Sequence, residues 1–472
     1  MRIVILGGGP AGYAAASAAA AAGADTTLIE RERPGGACTL WDAIPSKTLL
    51  DAADAISNIE HAAHVGLQFD SGRPVVDFPR MMQRAREVAD YQCQGVNTRL
   101  SQERVRVVIG EGTVVDRNTV AVKRGAGETT ITYDALVVAT GARPWIPDFA
   151  VTDSDRVLTT RTMWHKLEQL PPELIVVGAG ATGCEMSDFF QRCGSKVTLV
   201  SSRDRILPNE DVDVAWVVED AFLMRGMKIQ HRSRGAELNV TDEGVEVTLQ
   251  GGATISGSHA LFAVGMMSNT DGIGLENAGV KVAEKGGIQV NDQCQTNVHN
   301  IYAVGDVTGG ILLANVAAMQ GRHAVLHALG EPVSPIRYEA VASTVFTRPE
   351  IADVGLTETR ANEDGRDVLV VSHELKNNPR AVIHGTTHGL IKLVVDSKTG
   401  VVLGGSIVGL RASELIMTVA LAVRGRMNVQ ELAETGAVNP SVSESLQRAA
   451  ERATVAFLGG DSRKRVSSVT FS

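Results

Sequence analysis

One short pattern occurs twice in the first two-thirds of this chain, and it restricts the fold more than any other feature. The apolar run Ile3-Val4-Ile5-Leu6 leads into Gly7-Gly8-Gly9-Pro10-Ala11-Gly12, and Leu174-Ile175-Val176-Val177 leads into Gly178-Ala179-Gly180-Ala181-Thr182-Gly183. Such apolar runs read as buried strands, and the glycines after them suit a tight turn that opens a helix. Each copy continues into a second apolar strand, Thr26-Thr27-Leu28-Ile29 and Val197-Thr198-Leu199-Val200. Each later carries a strand closed by glycine, Leu136 to Gly141 and Leu261 to Gly265. Strand, turn, helix and strand at this length make the βαβ unit of a dinucleotide-binding domain, and the repetition predicts two of them.

The glycines have distinct tasks. In the first copy Gly7 allows the turn, Gly9 lets the backbone approach a pyrophosphate, and Gly12 permits close helix–strand packing. The helix N-terminus then faces the anion. Glu30 ends the second strand, where a carboxylate accepts both ribose hydroxyls of an adenosine and repels a 2′-phosphate. In the second copy Gly178, Gly180 and Gly183 repeat the pattern, but Ser201, Ser202 and Arg203 follow the strand, with Arg205 beyond. Hydroxyls and a guanidinium suit a 2′-phosphate, so NADPH is expected there. Asp204 lies close enough to pair with either arginine, which leaves NADH open as well.

The predicted fold class is α/β, with two Rossmann-type domains and a C-terminal α+β domain. Proline-containing stretches at Arg143 to Pro147 and Gly330 to Pro335 carry linker chemistry. They suggest a first domain over 1–150, a second over 151–270, a central segment 271–340 that completes the first, and a third domain over 341–472. That third domain has a strand-like run from Leu390 to Val395 and an apolar helical run from Ala412 to Val423. The tail from Gly459, with Arg463-Lys464-Arg465, reads as polar and frayed.

Composition removes several classes of function. With a net charge of −9 the chain lacks the cationic excess that phosphate backbones demand, so no nucleic-acid partner is expected. Five cysteines, without ligand spacing, indicate neither a disulfide framework nor a metal site, and a reducing, cytoplasmic setting is expected. The alanine-rich start is interrupted by glycines and Pro10. No window reaches the roughly eighteen apolar residues of a membrane span, and no lipidation signal indicates a stable anchor.

Further motifs resemble the class I pyridine nucleotide-disulfide oxidoreductases across nearly the whole chain. They are Gly35-Gly36-Ala37-Cys38 through Ile44-Pro45-Ser46-Lys47, Ala139-Thr140-Gly141, the second fingerprint ending in Glu185, Tyr302-Ala303-Val304-Gly305-Asp306, and Val345-Phe346-Thr347-Arg348-Pro349-Glu350. The resemblance implies FAD in the first domain, a nicotinamide nucleotide in the second, and a homodimer built by the third. It implies that Asp306 holds the ribityl chain and that Lys47 and Glu185 lie beside the flavin. Gly36, Cys38, Gly112, Thr140, Gly141, Leu313 and Ala314 are implied as further FAD contacts, and Gly265 as a contact of the NAD(P) site.

Two parts of the family's machinery are absent. Its redox disulfide joins two cysteines whose positions here hold Cys38 and Ala43. Its interface histidine is replaced by Asn439, although Glu444 is kept. An amide has no ionisable proton near neutral pH, so thiol acid–base chemistry loses its catalyst along with its disulfide. Asn439, Glu444 and Cys38 stay as candidate catalytic positions beside Lys47 and Glu185, with a packed, inert thiol the plainer reading of Cys38. Electrons reaching the flavin must then leave to an external two-electron acceptor. The overall likeness is to an actinobacterial, quinone-reducing branch of lipoamide dehydrogenase-like flavoproteins, which implies an NAD(P)H:quinone reductase. Similarity at Cys38-Thr39, Trp41 and Ile44 to Lys47 implies, as an alternative, a soluble pyridine nucleotide transhydrogenase. A non-catalytic flavin sensor is the third reading.

Overall fold

Runs of Val, Ile and Leu with no polar interruption can be buried on both faces, and parallel strands are where such runs settle. In the computed structural model, which describes residues 1–62, 65–67, 74–459 and, by backbone only, 465–467, both glycine-fingerprint strands lie central in five-stranded parallel sheets. The first sheet runs, in spatial order, Ile301–Ala303, Ala135–Val138, Arg2–Leu6, Asp25–Glu30, Arg106–Ile109. The second runs Lys228–Gln230, Lys196–Val200, Glu173–Val177, His259–Phe262, Val157–Leu158. Ile3, Ile5, Val176 and Leu199 are fully buried, each side chain stabilising the fold by about 1.5–3 kcal/mol through area removed from water.

The duplication extends past the βαβ unit. Each copy also contains a three-stranded antiparallel meander, Glu111–Asp116 with Thr119–Arg124 and Gly127–Thr132 in the first, Gly235–Val240 with Val245–Leu249 and Thr254–Gly257 in the second. The copies differ in their fifth strand. Val157–Leu158 precedes the second fingerprint, whereas Ile301–Ala303 reaches the first sheet only after the whole second domain has been traversed. Ala142–Pro144 pairs antiparallel with Met266–Ser268, the two crossings between the domains lying side by side. The helix Pro10–Ala21 packs on Ala314–Ala328, so closely that a Cβ on Gly321 would overlap the Ala11 carbonyl.

The third domain is a six-stranded mixed sheet in the order Ser343–Val345, Glu350–Gly355, Val402–Gly409, Leu390–Asp396, Val368–Glu374, Arg465–Ser467. The helices Ala412–Gly425 and Ser443–Leu458 contribute to its apolar core. The tail departs from the frayed reading at three residues, because Arg465–Ser467 pairs parallel with Val370–Ser372; backbone hydrogen bonding at an open sheet edge outweighs its polar composition. Arg463 and Lys464 lie outside the described residues.

One buried cation joins this domain to the second. Lys392, in the middle of the strand Leu390–Asp396, is 1% exposed and places Nζ 2.9 Å from Asp211 Oδ2, 2.9 Å from Asp213 Oδ1 and 2.5 Å from Glu358 Oε2. Asp211 also accepts from the Glu358 amide and from the amide and hydroxyl of Thr359. Burial raises the Asp211 carboxyl, but Lys392 and Thr359 more than cancel that and hold it below the ordinary range. Beside this cluster, burial and the neighbouring Asp353 push Glu210 up to about 10.

Candidate functional site

The two fingerprints fold to the same backbone detail. Gly7 and Gly178 have φ of +106° and +110°, and a Cβ on either would overlap the carbonyl of Ala139 or Ala263 at the end of the neighbouring strand. A Cβ on Gly12 would collide with the Gly7 carbonyl, and one on Gly183 with the Gly178 carbonyl. Only glycine lets the helix start this close to the strand. The helices Pro10–Ala21 and Ala181–Cys193 open on Gly9 and Gly180 with no side-chain cap and no acidic residue in the first turn. Each leaves its first amides for an incoming anion.

Along the first domain runs a cleft of about 940 Å³. Gly7, Gly9, Glu30, Gly36, Cys38, Lys47, Gly112, Thr140, Gly141, Asp306, Leu313 and Ala314 all line it. Gly12 does not, because it sits beneath the turn. Glu30 is fixed at its strand end: Oε2 accepts from the Gly8 amide at 2.7 Å and Oε1 from the Glu32 amide at 2.8 Å. Gly36, at φ +62°, brings its backbone against Gly9, so two glycine turns form a cradle without side chains. Thr140 Oγ1 donates to the Asn269 carbonyl and Asn269 Nδ2 returns a bond to the Thr140 carbonyl, tying the cleft wall to the strand that leaves the second domain. This donor set fits FAD: amides and a bare backbone for the pyrophosphate, a carboxylate for the adenosine ribose, and Asp306 further along.

At the junction of the domains, Lys47 Nζ donates to Glu185 Oε2 at 2.7 Å, and Glu185 Oε1 accepts from the Phe346 amide at 2.9 Å. Lys47 also stands over the Phe346 ring, 5.1 Å from its centroid. One residue from each domain therefore meets here. Cys38 lies nearby, and all five cysteines are free thiols. Burial, with Asp42 and Asp306 adding negative charge against the opposing pull of Lys47, pushes Cys38 up to about 11. Burial and then Asp42 push Asp306 up to about 6.

In the second domain, Gly180 and Gly265 face open space. The loop after Val200 splits the residues expected to meet a 2′-phosphate. Ser201 is 2% exposed and its hydroxyl bridges the Arg203 amide and the Arg205 carbonyl, holding the turn. Arg205 is occupied with the Pro208 and Glu210 carbonyls. Ser202 and Arg203 are left exposed.

Asn439 and Glu444 are not in the cleft of their own chain. Asn439 Nδ2 donates to Glu444 Oε1 at 2.6 Å on an exposed corner, where Glu444 also accepts from the Ser441 amide. Motif reading missed Asp42, a cleft residue between Cys38 and Lys47 whose only sequence signal is its place in that segment. It also missed Phe346, whose amide holds Glu185 and whose ring lies under Lys47, and Asn269, whose side-chain amide and backbone carbonyl both bond Thr140.

A family model described as pyridine nucleotide-disulphide oxidoreductase matches residues 1–321, and one for that family's dimerisation domain matches 341–450. A Mycobacterium tuberculosis protein named NAD(P)H dehydrogenase (quinone) is 41% identical over 461 residues, covering 96% of this chain and 93% of the relative. A Geobacillus stearothermophilus dihydrolipoyl dehydrogenase is 33% identical over 452 residues, covering 95% of each chain. The crystal structure of LpdA from Mycobacterium tuberculosis superposes with a TM-score of 0.91 at 40% identity, covering 96% of this chain and 99% of that one. RclA from Escherichia coli, described as an HOCl-induced flavoprotein disulfide reductase, gives 0.85 at 28% identity over 96% and 99%.

Proposed function

Since the chain belongs to the pyridine nucleotide-disulphide oxidoreductase family, we propose that it is an FAD-dependent NAD(P)H:quinone oxidoreductase working without a redox disulfide. The observation that carries this reading is the content of the cleft. Lys47 and Glu185 are paired there, while Ala43 stands where the family has its second cysteine and Cys38 is a protonated thiol at neutral pH. The relative named NAD(P)H dehydrogenase (quinone) supports the choice of acceptor.

Bound FAD would accept a hydride from the nicotinamide and hand two electrons to a quinone. The chain's own groups prepare the place. The glycine cradle and helix N-terminus would hold the pyrophosphate, Glu30 the ribose and Asp306 the ribityl chain. Lys47 supplies a fixed positive charge where negative charge accumulates, and Glu185 orients that ammonium from the second domain. Phe346 and Trp41 give the cleft part of its apolar lining.

For the nucleotide, the exposed Arg203 and Ser202 favour NADPH, and the turning-in of Ser201 and Arg205 leaves that preference shallow. The same loop favours transhydrogenation as the second reading, since both nucleotides would be admitted. Exposed apolar residues of the third domain, Met417, Leu421 and Val438 among them, support a two-fold pair that brings Asn439 and Glu444 toward the other protomer's cleft. No helix among the described residues is long and apolar enough to cross a membrane. Steady-state NADPH oxidation separates the readings: turnover with menadione and not with thio-NAD+ upholds the first, and the converse upholds the second.

A further inference from the structure

Between Cys38 and Lys47 the chain turns at Trp41 and Asp42. The Asp42 amide donates to the Ala37 carbonyl at 2.9 Å, and its own carbonyl accepts the first bond of the helix Ala43–Ala62, from the Ser46 amide at 3.1 Å. Asp42 therefore occupies the position where an aspartate ordinarily caps a helix through its side chain. It does not do so. Its carboxyl accepts no hydrogen bond from any described residue and lines the cleft instead. It faces Lys47 on the helix it precedes, Cys38 on the short helix Gly36–Leu40, Glu185 on the helix Ala181–Cys193 and Asp306 on the turn Gly305–Thr308. Burial raises its affinity for a proton, opposed by Lys47 and aided by Glu185.

The neighbouring groups are committed elsewhere. Lys47 and Glu185 hold each other, Glu30 holds two backbone amides, and the Cys38 thiol is too weak an acid. The interface position that carries a histidine in the family is Asn439, which cannot donate an acidic proton. Reduction of a quinone to a hydroquinone consumes two electrons and two protons. A hydride brings both electrons and one proton, so one quinone oxygen has to be protonated separately.

We propose that Asp42 supplies that second proton. The carboxyl O–H bond breaks as an O–H bond forms on the quinone oxygen, and water returns a proton to the carboxylate. NAD(P)H is oxidised, the quinone is reduced, and one proton is drawn from solvent per turnover. This step rests on the quinone reading, so part of its test involves no quinone.

The variants are Asp42→Asn and Asp42→Ser, both good helix caps, so that the start of the helix survives if one of them folds poorly. The flavin midpoint potential is measured against pH by spectroelectrochemistry in the FAD-loaded enzyme with no acceptor present. Each proton taken up with two electrons adds about 30 mV per pH unit to the slope. Negative charge gained in the cleft on reduction draws a proton onto Asp42, so the expected result is a slope near neutral pH that is one proton shallower in the variants. In turnover, the ratio of menadione to ferricyanide reduction, the latter requiring no proton, is expected to fall about a hundredfold. Equal slopes, or an unchanged ratio, would overturn the assignment. Absence of menadione turnover in the unaltered enzyme would instead sink the quinone reading, and the slope would still decide whether Asp42 carries the proton.

Discussion

Replacing Lys392 with methionine keeps the length of the side chain and removes its charge from a site that is 1% exposed. Three carboxylates, from Asp211, Asp213 and Glu358, have oxygens within 4.8 Å of one another around it. Removing one partner of a buried ion pair costs about 3–5 kcal/mol, because the remaining charge is left uncompensated. At about 2–4 °C per kcal/mol, the apparent Tm should fall by roughly 6–20 °C. The loss should also depend on pH. In the unaltered protein the three carboxylates outweigh the burial that lowers Lys392 and raise its pKa, so its contribution is full below about 10.4 and lost above that. Asp211, held below its ordinary value, contributes above about 3.9 and loses its share on acidification. The Lys392–Asp211 contact is thus whole from about pH 4 to 10. In Lys392→Met the stranded carboxylates have raised pKa values, and the folded variant binds protons that the unfolded chain does not. Each such proton lowers the variant's stability by about 1.4 kcal/mol per pH unit on going alkaline. Thermal melts of both proteins, followed by circular dichroism from pH 5 to 8, should show a gap that widens with pH. A gap below about 1 kcal/mol, or a flat one, refutes the account of Lys392 as the counter-charge.

Gly12→Ala should yield protein with little bound FAD, read from flavin absorbance after purification, because the added methyl collides with the Gly7 carbonyl. Arg203→Ala should raise KM for NADPH about three- to tenfold with little change for NADH, an effect kept modest by solvent around an exposed guanidinium. Alkylation of Cys38, followed by mass spectrometry of its peptide against pH, should accelerate with an inflection near pH 11 instead of the ordinary cysteine range; an inflection near neutral pH would refute the description of a desolvated thiol.

What could be read from the residues alone follows from which physical constraints are local. The fingerprints declare themselves because Gly7 and Gly12, or Gly178 and Gly183, are compelled by contacts within a few residues and one adjacent strand. Glu30 is readable for the same reason. Lys392 is not: it interrupts an apolar run as a surface lysine would, and its partners lie in other segments of the chain. Ser201 and Arg203 have the residue types of a phosphate site, but only the folded loop shows that the first is used to hold the turn. Asp42 has the opposite history. Its position invites the reading of a helix cap, and only the missing side-chain bond sets its carboxyl free.

The late return of Ile301–Ala303 to the first sheet has a consequence for synthesis on the ribosome. The second domain is contiguous from Val157 to Phe262 and can close as soon as it has emerged. The first, although it begins the chain, lacks an edge strand until residue 303 and lacks the helix that seats Ala11 until Gly321. Its strand Ala135–Val138 waits with an open edge through the translation of an entire domain. On this topology the second domain can complete its sheet while the chain is still being made, whereas the first cannot close before Gly321 has emerged.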